Sequence, residues 1–126
     1  MTWQAYVDSN LIGAGFINAQ ILSAADGSNW ATSKGFTVSA TEAAHIIACF
    51  KDSSKASSMG ITINGVKNFV LKADDKSIYA KKDTGGIVIV KTNQCILFGQ
   101  YDSALQPGSA AKAVESLGDY LRDSGF

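Results

Sequence analysis

Aromatic side chains near the two ends of the sequence have the spacing of a ligand-binding surface. Trp3 and Tyr6 are three residues apart, so on a helix they share one surface. Tyr120 and Phe126 add two further rings at the other end. Parallel rings with N–H and O–H donors suit a polyproline II ligand, whose rings pack between them and whose carbonyl oxygens lack internal partners. If the two segments pack side by side, these residues predict a surface that binds proline-rich peptides.

A second interpretation of the same rings stays open. Aromatic residues on an amphipathic helix belong to the hydrophobic core more often than to a ligand site. In that case Trp3 fastens its helix to the rest of the domain. Composition alone does not separate the two interpretations.

The ring-bearing segments have helical patterns. Between Thr2 and Ile12, before Gly13 and Gly15, apolar residues recur at helical spacing, at Trp3, Tyr6, Val7 and Leu11. Pro107 suits the first turn of a last helix, which Gly125 is placed to end, and an apolar stripe follows it at Ala110, Val114, Leu117 and Leu121. A helix between them is predicted by the capping box of Ser39 and Glu42 and runs to about Phe50. Residues 51–58 are polar and Ser-rich, which predicts a loop or one loose helical turn.

The remaining segments predict β-strands. Residues 16–24 and the run around Trp30 flank an Asp26-Gly27 turn, which indicates a hairpin. Short apolar runs separated by turn residues then predict antiparallel strands at 61–63, 66–73, 77–82, 87–91 and 95–100. Residues 87–90 are apolar on both sides, so their strand should be central and covered on both faces. We predict an α+β fold in which a central antiparallel β-sheet of about six to seven strands carries the N- and C-terminal helices on one face and a middle helix on the other.

Length, charge and cysteine usage limit the class of protein. A chain of 126 residues suits a single domain over residues 1–126. Eleven basic residues balance eleven acidic ones, which argues against bulk electrostatic binding to nucleic acid. Cys49 and Cys95 lie in apolar runs and are interpreted as buried free thiols. With no signal-peptide pattern and no apolar run long enough for a membrane span, the expected compartment is the cytosol.

Catalytic patterns are missing from the sequence. His45 is the only histidine, and we interpret it as a partly exposed helix residue rather than a base or a ligand. Gly13-Ala14-Gly15 follows a helix and lacks a third glycine, so it is not a dinucleotide fingerprint. No nucleophile elbow, phosphate-binding loop or metal-ligand spacing occurs. A small enzyme or ligand carrier is therefore the disfavoured alternative, and we expect a binding protein with neither cofactor nor metal.

Three motifs, taken together, resemble the profilin family over essentially the whole chain. They are the opening Met-Thr-Trp-Gln-Ala-Tyr-Val-Asp, Lys-Asp-Thr-Gly-Gly at 82–86 and Gly-Asp-Tyr-Leu at 118–121. The resemblance implies a cytoplasmic, cytoskeleton-associated regulator that binds actin monomers and proline-rich segments of partner proteins. The poly-proline-binding positions that match are Trp3, Tyr6, Trp30, Tyr120, Leu121 and Phe126. Other members carry histidine at position 120 or tyrosine at position 126, so Phe126 lacks one hydroxyl donor.

The resemblance also implies a surface that contacts actin. The matching positions are Lys67, Phe69, Leu71, Lys72, Lys82, Gly108, Lys112 and Ser116. Phe69 and Leu71 alternate along a predicted strand and so should share a face, as the apolar centre of an interface with a lysine rim. Some members carry a carboxylate at the position of Ser116 and an arginine at that of Ala80. A protein that keeps only the peptide site therefore remains an alternative.

A third expectation concerns membrane lipids. Profilins bind phosphoinositide head groups through basic patches, and a small patch is expected here across neighbouring strands, from Lys81 and Lys82 with either Lys72 or Lys91. The partners implied by the resemblance are monomeric actin, proline-rich proteins such as nucleators and elongators of actin filaments, and phosphoinositide head groups at the membrane surface. Nucleic acid is not among them.

Overall fold

A computed structural model describes residues 2–126, and within them seven strands form one sheet. Met1, which begins the opening motif and the predicted domain, lies outside the described residues. The strands are β1 (Asn18–Ser23), β2 (Asn29–Thr32), β3 (Ile61–Ile63), β4 (Val66–Ala73), β5 (Ser77–Lys82), β6 (Gly85–Lys91) and β7 (Cys95–Tyr101). Their order is β2-β1-β7-β6-β5-β4-β3, and every neighbouring pair is antiparallel. The predicted strand at 87–90 is the central one, β6, which confirms its placement.

The helical elements lie before, within and after the run of strands. They are α1 (Trp3–Ala5), which continues as π-helical turns (Tyr6–Leu11) and a 3-10 turn (Ile12–Ala14), then α2 (Ala40–Lys51), α3 (Ser53–Met59) and α4 (Pro107–Asp123). The first segment is thus helical as predicted, but most of it is wound as a π-helix, a form that often occurs at functional sites. Among residues 2–126, none of these helices combines the length and the hydropathy that a membrane span requires.

The predicted capping box is present at the start of α2. The Ser39 hydroxyl accepts a hydrogen bond from the Glu42 amide at 3.2 Å, and the Glu42 carboxylate accepts one from the Ser39 amide at 3.3 Å. The segment after α2 differs from the prediction, because α3 forms nearly two helical turns. The Asp52 carboxylate caps α3 by accepting from the Ser54 amide at 3.1 Å, and Ala56 is fully buried. A cap and one buried small residue therefore suffice to order this polar segment.

The sheet separates two apolar cores. On one side α2 buries Ile46 and Phe50 in a cluster that includes Ile87 and Ile89. On the other side α4 and the first helical segment join a cluster that includes Val88 and Val90. Alternate residues of β6 thus face opposite cores, as expected for strands with side-chain period two. The α+β fold is confirmed, with the first and last helices on one face and the middle helix on the other.

The Gly85-Gly86 pair of the middle motif follows a tight turn. Asp83 adopts a positive φ of 54° there, and β6 begins immediately afterwards at Gly85. A Cβ at Gly85 would overlap the carbonyl oxygen of Tyr101, and a Cβ at Gly86 would overlap that of Ala80. The motif therefore contains glycine because the backbones of β5, β6 and β7 approach closely at this end of the sheet.

Candidate functional site

Five rings from distant parts of the chain form one continuous cluster, here called the aromatic surface. Its members are Trp3, Tyr6, Trp30, Tyr120 and Phe126. The Trp3 ring lies 4.8 Å from Trp30, 5.2 Å from Phe126 and 5.7 Å from Tyr6 between centroids. Tyr6 lies in turn 6.2 Å from Tyr120. The structure thus brings these predicted residues together, with Trp3 at the centre of the cluster.

The aromatic surface is open to solvent while its base packs on the core. Tyr120 is 55% exposed and Phe126 39% exposed. Trp3, Tyr6 and Trp30 are half-buried and pack against the core cluster on the α4 side of the sheet. The core interpretation thus holds for the buried parts of Trp3, Tyr6 and Trp30, and the accessible parts of the rings leave peptide binding as a prediction.

Leu121 lies beneath this surface rather than on it. Its side chain is fully buried in the core cluster between α4 and the sheet, although the resemblance placed it among the peptide contacts. Its exposed neighbour Tyr120 occupies the surface, since consecutive helix residues point in different directions. Leu121 therefore supports the rings and makes no contact with solvent.

The first helical segment is held by a cap at its start and by a side-chain hydrogen bond to β2. The Thr2 hydroxyl accepts a hydrogen bond from the Ala5 amide at 3.1 Å and caps α1. The Gln4 side-chain amide donates to the Thr32 carbonyl of β2 at 2.9 Å. This contact joins the strand that carries Trp30 to the helix that carries Trp3. Sequence reasoning missed Gln4, since a polar residue on an exposed helix face gives no signal of a distant partner.

Phe126 is held in place by the turn between β6 and β7. Its amide donates to the Leu121 carbonyl at 2.8 Å, and its main-chain oxygen accepts from the Thr92 hydroxyl at 2.9 Å. The Gln94 amide donates to the same oxygen, and the Gln94 side chain donates to Gly125 at 3.2 Å. Thr92 and Gln94 therefore position the last ring, a role that the sequence did not indicate.

A groove continues from the rings between the first helical segment and α4. It has a volume of about 330 Å³, and Tyr6, Asn10, Ser116 and Tyr120 are among its lining residues. Hydrogen bonding with the Tyr120 side chain raises the pKa of Tyr6 above its ordinary value of 10. Ser116, which the resemblance assigned to the actin contact, lies in this groove beside the two tyrosines.

A second exposed area, here called the β4 surface, is formed by Lys67, Phe69, Leu71 and Lys72. Phe69 is 66% exposed and Leu71 is 68% exposed, which makes them the two most exposed large apolar side chains among residues 2–126. Both lysines are exposed beside them. Isolated exposed apolar residues are common, but two together within a basic rim are typical of a protein-binding surface.

Phe69 and Leu71 share the exposed face of β4, as predicted, because Val70 between them packs on the core cluster of the α2 side. The register between β4 and β5 slips by one residue, since Val70 pairs with Ala80 whereas Lys72 pairs with Tyr79. Leu71 therefore has no partner in β5, and alternation shifts only after it, so that Lys72 is exposed next to Leu71. The irregularity thus adds Lys72 to the exposed face on which the period of the strand places Phe69 and Leu71.

Alternation along β5 places Lys81, rather than Lys82, on the face of the sheet that carries Phe69. Lys81 pairs directly with Phe69 across the two strands, so the two side chains share a face. Lys82 is the next residue and points to the other face, the side on which Ala80 is buried. Gly108 and Lys112 are both exposed near the start of α4. Ala80 is 1% exposed, so this chain offers no side-chain contact at the position where some members carry an arginine.

A polar network attaches α4 to the sheet next to the β4 surface. The Ser77 hydroxyl donates to the Glu115 carboxylate at 2.9 Å, and the Tyr79 hydroxyl donates to the same group. The Lys72 ammonium lies 5.0 Å from the centroid of the Tyr79 ring and 3.7 Å from Asp74. Tyr79 and Glu115 were missed by sequence reasoning because their partners lie on another element. The bond between Tyr79 and Glu115 holds α4 against β5, and it also fixes the Tyr79 ring beside which the Lys72 ammonium lies.

The same network predicts a pH dependence of stability. Burial, and then the hydrogen bond to Glu115, raises the pKa of Tyr79 well above its ordinary value of 10. The unfolded chain then releases this proton at a lower pH than the folded protein, so this contribution to stability is complete below pH 10 and declines above it. We expect the free energy of unfolding to fall by up to about 1 kcal/mol per pH unit above pH 10 because of Tyr79 alone.

Urea titrations of the wild type and of Tyr79→Phe between pH 8 and pH 11 measure this effect. The variant should be less stable at pH 8, because Glu115 loses one donor, and the gap should narrow above pH 10. A gap that stays constant over the whole range would contradict the assignment, and the comparison removes the contribution of all other titrating groups.

The four lysines expected to form a lipid-binding patch do not lie together. Lys81 and Lys82 are at the end of β5 that adjoins Gly85, whereas Lys91 is at the opposite end of β6. With about 3.3 Å per strand residue, roughly 20 Å separates these ends. Lys72 is paired with Asp74. The alternative with Lys91 is therefore wrong in its geometry, whereas Lys72 pairs with Tyr79, two residues from Lys81 on the same face, so that the alternative with Lys72 stays a prediction.

The single histidine and the two cysteines lie in environments typical of structural residues. His45 is half-buried, and its Nε2 lies 2.9 Å from the Gly60 carbonyl oxygen. Cys49 and Cys95 are buried and free, as predicted, and burial raises the pKa of both thiols. Within residues 2–126, histidine, cysteine, aspartate and glutamate side chains form no group of three that is placed to hold a metal ion.

Comparisons with known proteins agree with this arrangement. The family model described as Profilin matches residues 1–126. Profilin-3 of Dictyostelium discoideum is 76% identical over 126 residues and covers all of both chains. The crystal structure of Acanthamoeba castellanii profilin II superposes with a TM-score of 0.94 at 44% identity, covering 99% of this chain and all of that one. Mouse profilin IIa, in complex with a double repeat from the FH1 domain of mDia1, shares the fold with a TM-score of 0.79 at 23% identity and full coverage of both chains.

An antiparallel sheet between two helical layers, with an aromatic surface made by its first and last helices, defines a class of small binding proteins. The chain belongs to the profilin family. Profilins are regulators of the actin cytoskeleton that bind actin and poly-proline segments.

Proposed function

We propose that this protein binds a proline-rich segment on the aromatic surface and an actin monomer on the β4 surface, each through the residues described above. The observation that carries the proposal is that Trp3, Tyr6, Trp30, Tyr120 and Phe126 form a single open row of rings. These rings come from the first helical segment, β2 and the end of α4. The actin contact uses β4 and only the start of α4, whereas the rings use the end of α4, so both partners have room to bind together.

The chemistry of the aromatic surface fits a polyproline II helix. Such a ligand has no internal hydrogen bonds, and its pyrrolidine rings pack against aromatic faces. The Trp3 indole N–H and the Tyr6 and Tyr120 hydroxyls supply donors for its carbonyl oxygens. Since Phe126 has no hydroxyl, it contributes packing alone. The bound mouse relative, whose ligand is an FH1 repeat, supports this class of ligand.

The β4 surface suits a larger protein partner. Phe69 and Leu71 supply an apolar centre, and Lys67, Lys72 and Lys81 surround it with positive charge. Such a rim attracts an acidic partner and raises the association rate more than the affinity. The proposed contact includes Gly108 and Lys112 of α4. It does not include Lys82, which points to the other face of the sheet, or Ser116, which lines the groove beside Tyr6 and Tyr120.

Holding both partners at once gives the protein its role. A proline-rich nucleator or elongator that captures the protein also captures its actin monomer, which raises the local monomer concentration at a growing filament end. This is a role of binding rather than catalysis, and it places the protein in the cytoplasm with the cytoskeleton. Residues 1–126 act in it as one domain.

The apolar centre of the β4 surface gives a testable effect on actin. We expect Phe69→Ser to weaken the binding of monomeric actin about tenfold to a hundredfold, because a central aromatic contact of an interface is worth roughly 1.5–3 kcal/mol. Sedimentation or fluorescence titration with actin measures the change. Affinity for polyproline should stay the same.

Met59→Ser is the matched control, because Met59 is 58% exposed and lies on α3, on the other face of the sheet. It should leave actin binding unchanged. Equal losses in the two variants would show that Phe69 has no special place in the interface. Failure of the wild type to retain actin in a pull-down would leave the peptide site as the whole function.

The aromatic surface is tested by tryptophan fluorescence. Both tryptophans of the chain, Trp3 and Trp30, belong to it, so a titration with polyproline should give a saturable change in their emission. No change at millimolar peptide would overturn the proposal for this surface.

A further inference from the structure

A second groove begins where the aromatic surface ends. Trp30 belongs to the aromatic surface, 4.8 Å from Trp3, and also lines a groove of about 550 Å³ at the end of the sheet. The other walls come from the turn after β1, the end of α2 and the turn between β6 and β7. A ligand that runs along the rings and passes Trp30 therefore enters this groove.

The groove has a positive charge that nothing in its walls neutralises. Lys51, in the last turn of α2, and Lys91, at the end of β6, both line it. Neither forms an ion pair within the described residues 2–126, and no carboxylate lines the groove. Asn93 also lines the groove and is exposed, so it adds a side-chain amide to the walls.

The nearest carboxylates along the chain are occupied by their own turns. Asp26 accepts a hydrogen bond from the Ser28 amide at 2.9 Å. Asp52 accepts from the Ser54 hydroxyl at 2.6 Å and from the Ser54 amide at 3.1 Å. These bonds lower the pKa of both groups and direct the carboxylates at their own turns. Within residues 2–126 neither of these groups forms an ion pair with Lys51 or Lys91, and neither does Asp75, which lines a neighbouring groove with Lys91.

The groove is connected to the aromatic surface through Gln94 as well as through Trp30. Gln94 lines the groove, and its side-chain amide donates to Gly125 at 3.2 Å while its main-chain amide donates to Phe126. The segment that presents the Phe126 ring is therefore attached to the groove wall. The two sites form a continuous path across Trp30.

We propose that this groove binds an acidic segment that flanks the proline-rich core of the ligand, with its carboxylates facing Lys51 and Lys91. The proposal rests on the proposed peptide-binding function and deepens it, because it states which proline-rich ligands the protein prefers. A polyproline II segment rises about 3.1 Å per residue, so three flanking residues reach roughly 9 Å beyond Trp30. Because Trp30, Lys51 and Lys91 line the same groove, acidic side chains on these flanking residues are expected to face both lysines.

The expected gain is moderate. Exposed ion pairs are individually weak, and two of them correspond to roughly twofold to tenfold in affinity at low ionic strength. Salt screens such pairs, so the gain should disappear near 0.5 M salt, where the Debye length is roughly 4–5 Å. The contacts of the proline rings themselves are apolar and should persist under the same conditions.

The experiment compares five synthetic peptides with the full chain: decaproline, decaproline with three glutamates before or after it, and the two counterparts with glutamine in place of glutamate. Binding is followed by calorimetry at low and at high salt. We expect one of the two glutamate peptides to bind twofold to tenfold more tightly than its glutamine counterpart at low salt. The end of the peptide that shows the gain gives the direction in which the ligand crosses Trp30.

Two double variants separate the groove from general charge. Lys51→Gln with Lys91→Gln should abolish the gain and leave the affinity for decaproline unchanged. Lys67→Gln with Lys81→Gln removes two exposed lysines elsewhere and should keep the gain. The proposal is overturned if both glutamate peptides bind like their counterparts, or if the gain survives in the first double variant. If decaproline itself fails to bind the wild type, the peptide-binding function fails instead.

Discussion

Replacing Trp3 by alanine should reduce the affinity for proline-rich peptides at least thirtyfold. Trp3 is the central ring of the aromatic surface, with Trp30, Phe126 and Tyr6 all within 5.7 Å between centroids. Removing it takes away a large contact area and an N–H donor, and it leaves its three neighbours without a common support. Central aromatic residues of this kind contribute 2 kcal/mol or more to binding, which corresponds to about thirtyfold. Calorimetry with decaproline measures the loss.

Actin binding by Trp3→Ala should remain near that of the wild type. The matched control is Phe69→Ala, which removes an exposed aromatic ring from the β4 surface and should keep full affinity for the peptide. Far-UV circular dichroism establishes that both variants are folded. If folded Trp3→Ala loses both ligands, the two surfaces are not independent, and the proposed two-site function is wrong.

Replacing Leu121 by alanine should lower the free energy of unfolding by about 2–5 kcal/mol. The Leu121 side chain is fully buried in the core cluster on the α4 side, and its removal leaves a cavity there. A domain of this size has roughly 5–15 kcal/mol in total, so the loss is a large part of its stability. Urea denaturation measures it.

The same variant distinguishes support from direct contact at position 121. Leu121→Met keeps the apolar volume, should cost less than about 1.5 kcal/mol and should keep the peptide affinity. In the folded fraction of Leu121→Ala we expect only a modest loss of affinity, since Phe126 remains bonded to the Leu121 main chain. A variant that is nearly as stable as the wild type but no longer binds peptide would show that Leu121 is a ligand contact after all.

Local patterns were sufficient to predict most of the fold. The capping box of Ser39 and Glu42 fixed the start of α2, and the apolar stripe from Ala110 to Leu121 predicted the buried face of α4. The run at 87–90 predicted a central strand because both of its faces are apolar. In each case the signal lies within a few neighbouring residues, which is the range over which periodicity and capping act.

Features that depend on distant partners were not predictable. The bonds from Gln4 to Thr32, from Tyr79 to Glu115 and from Thr92 to Phe126 each join separate elements. The irregularity at Leu71 likewise depends on the register between β4 and β5. A single sequence shows the types of these residues but not which of them meet.

The residues of the candidate site likewise include some that a local pattern predicts and others that only distant contacts define. Trp3 and Tyr6 were recognisable from their spacing, whereas Trp30 entered only through the family resemblance, because an isolated strand tryptophan is usually a core residue. The exposure of Phe69 follows from the position of β4 near the edge of the sheet. The burial of Leu121 beneath Tyr120 became clear only from the packing of α4.

The assembly of the aromatic surface from both ends of the sequence also determines when it forms during folding. Trp3 and Phe126 meet across nearly the whole chain, and such contacts carry the largest loop-closure entropy and tend to form late. The β-hairpins in the middle of the chain are local and need no contact between the ends. A nascent or partly folded molecule therefore lacks the ring row, and proline-rich partners encounter a competent surface only after α4 has docked. Ligand capture in this protein thus reports that folding is complete.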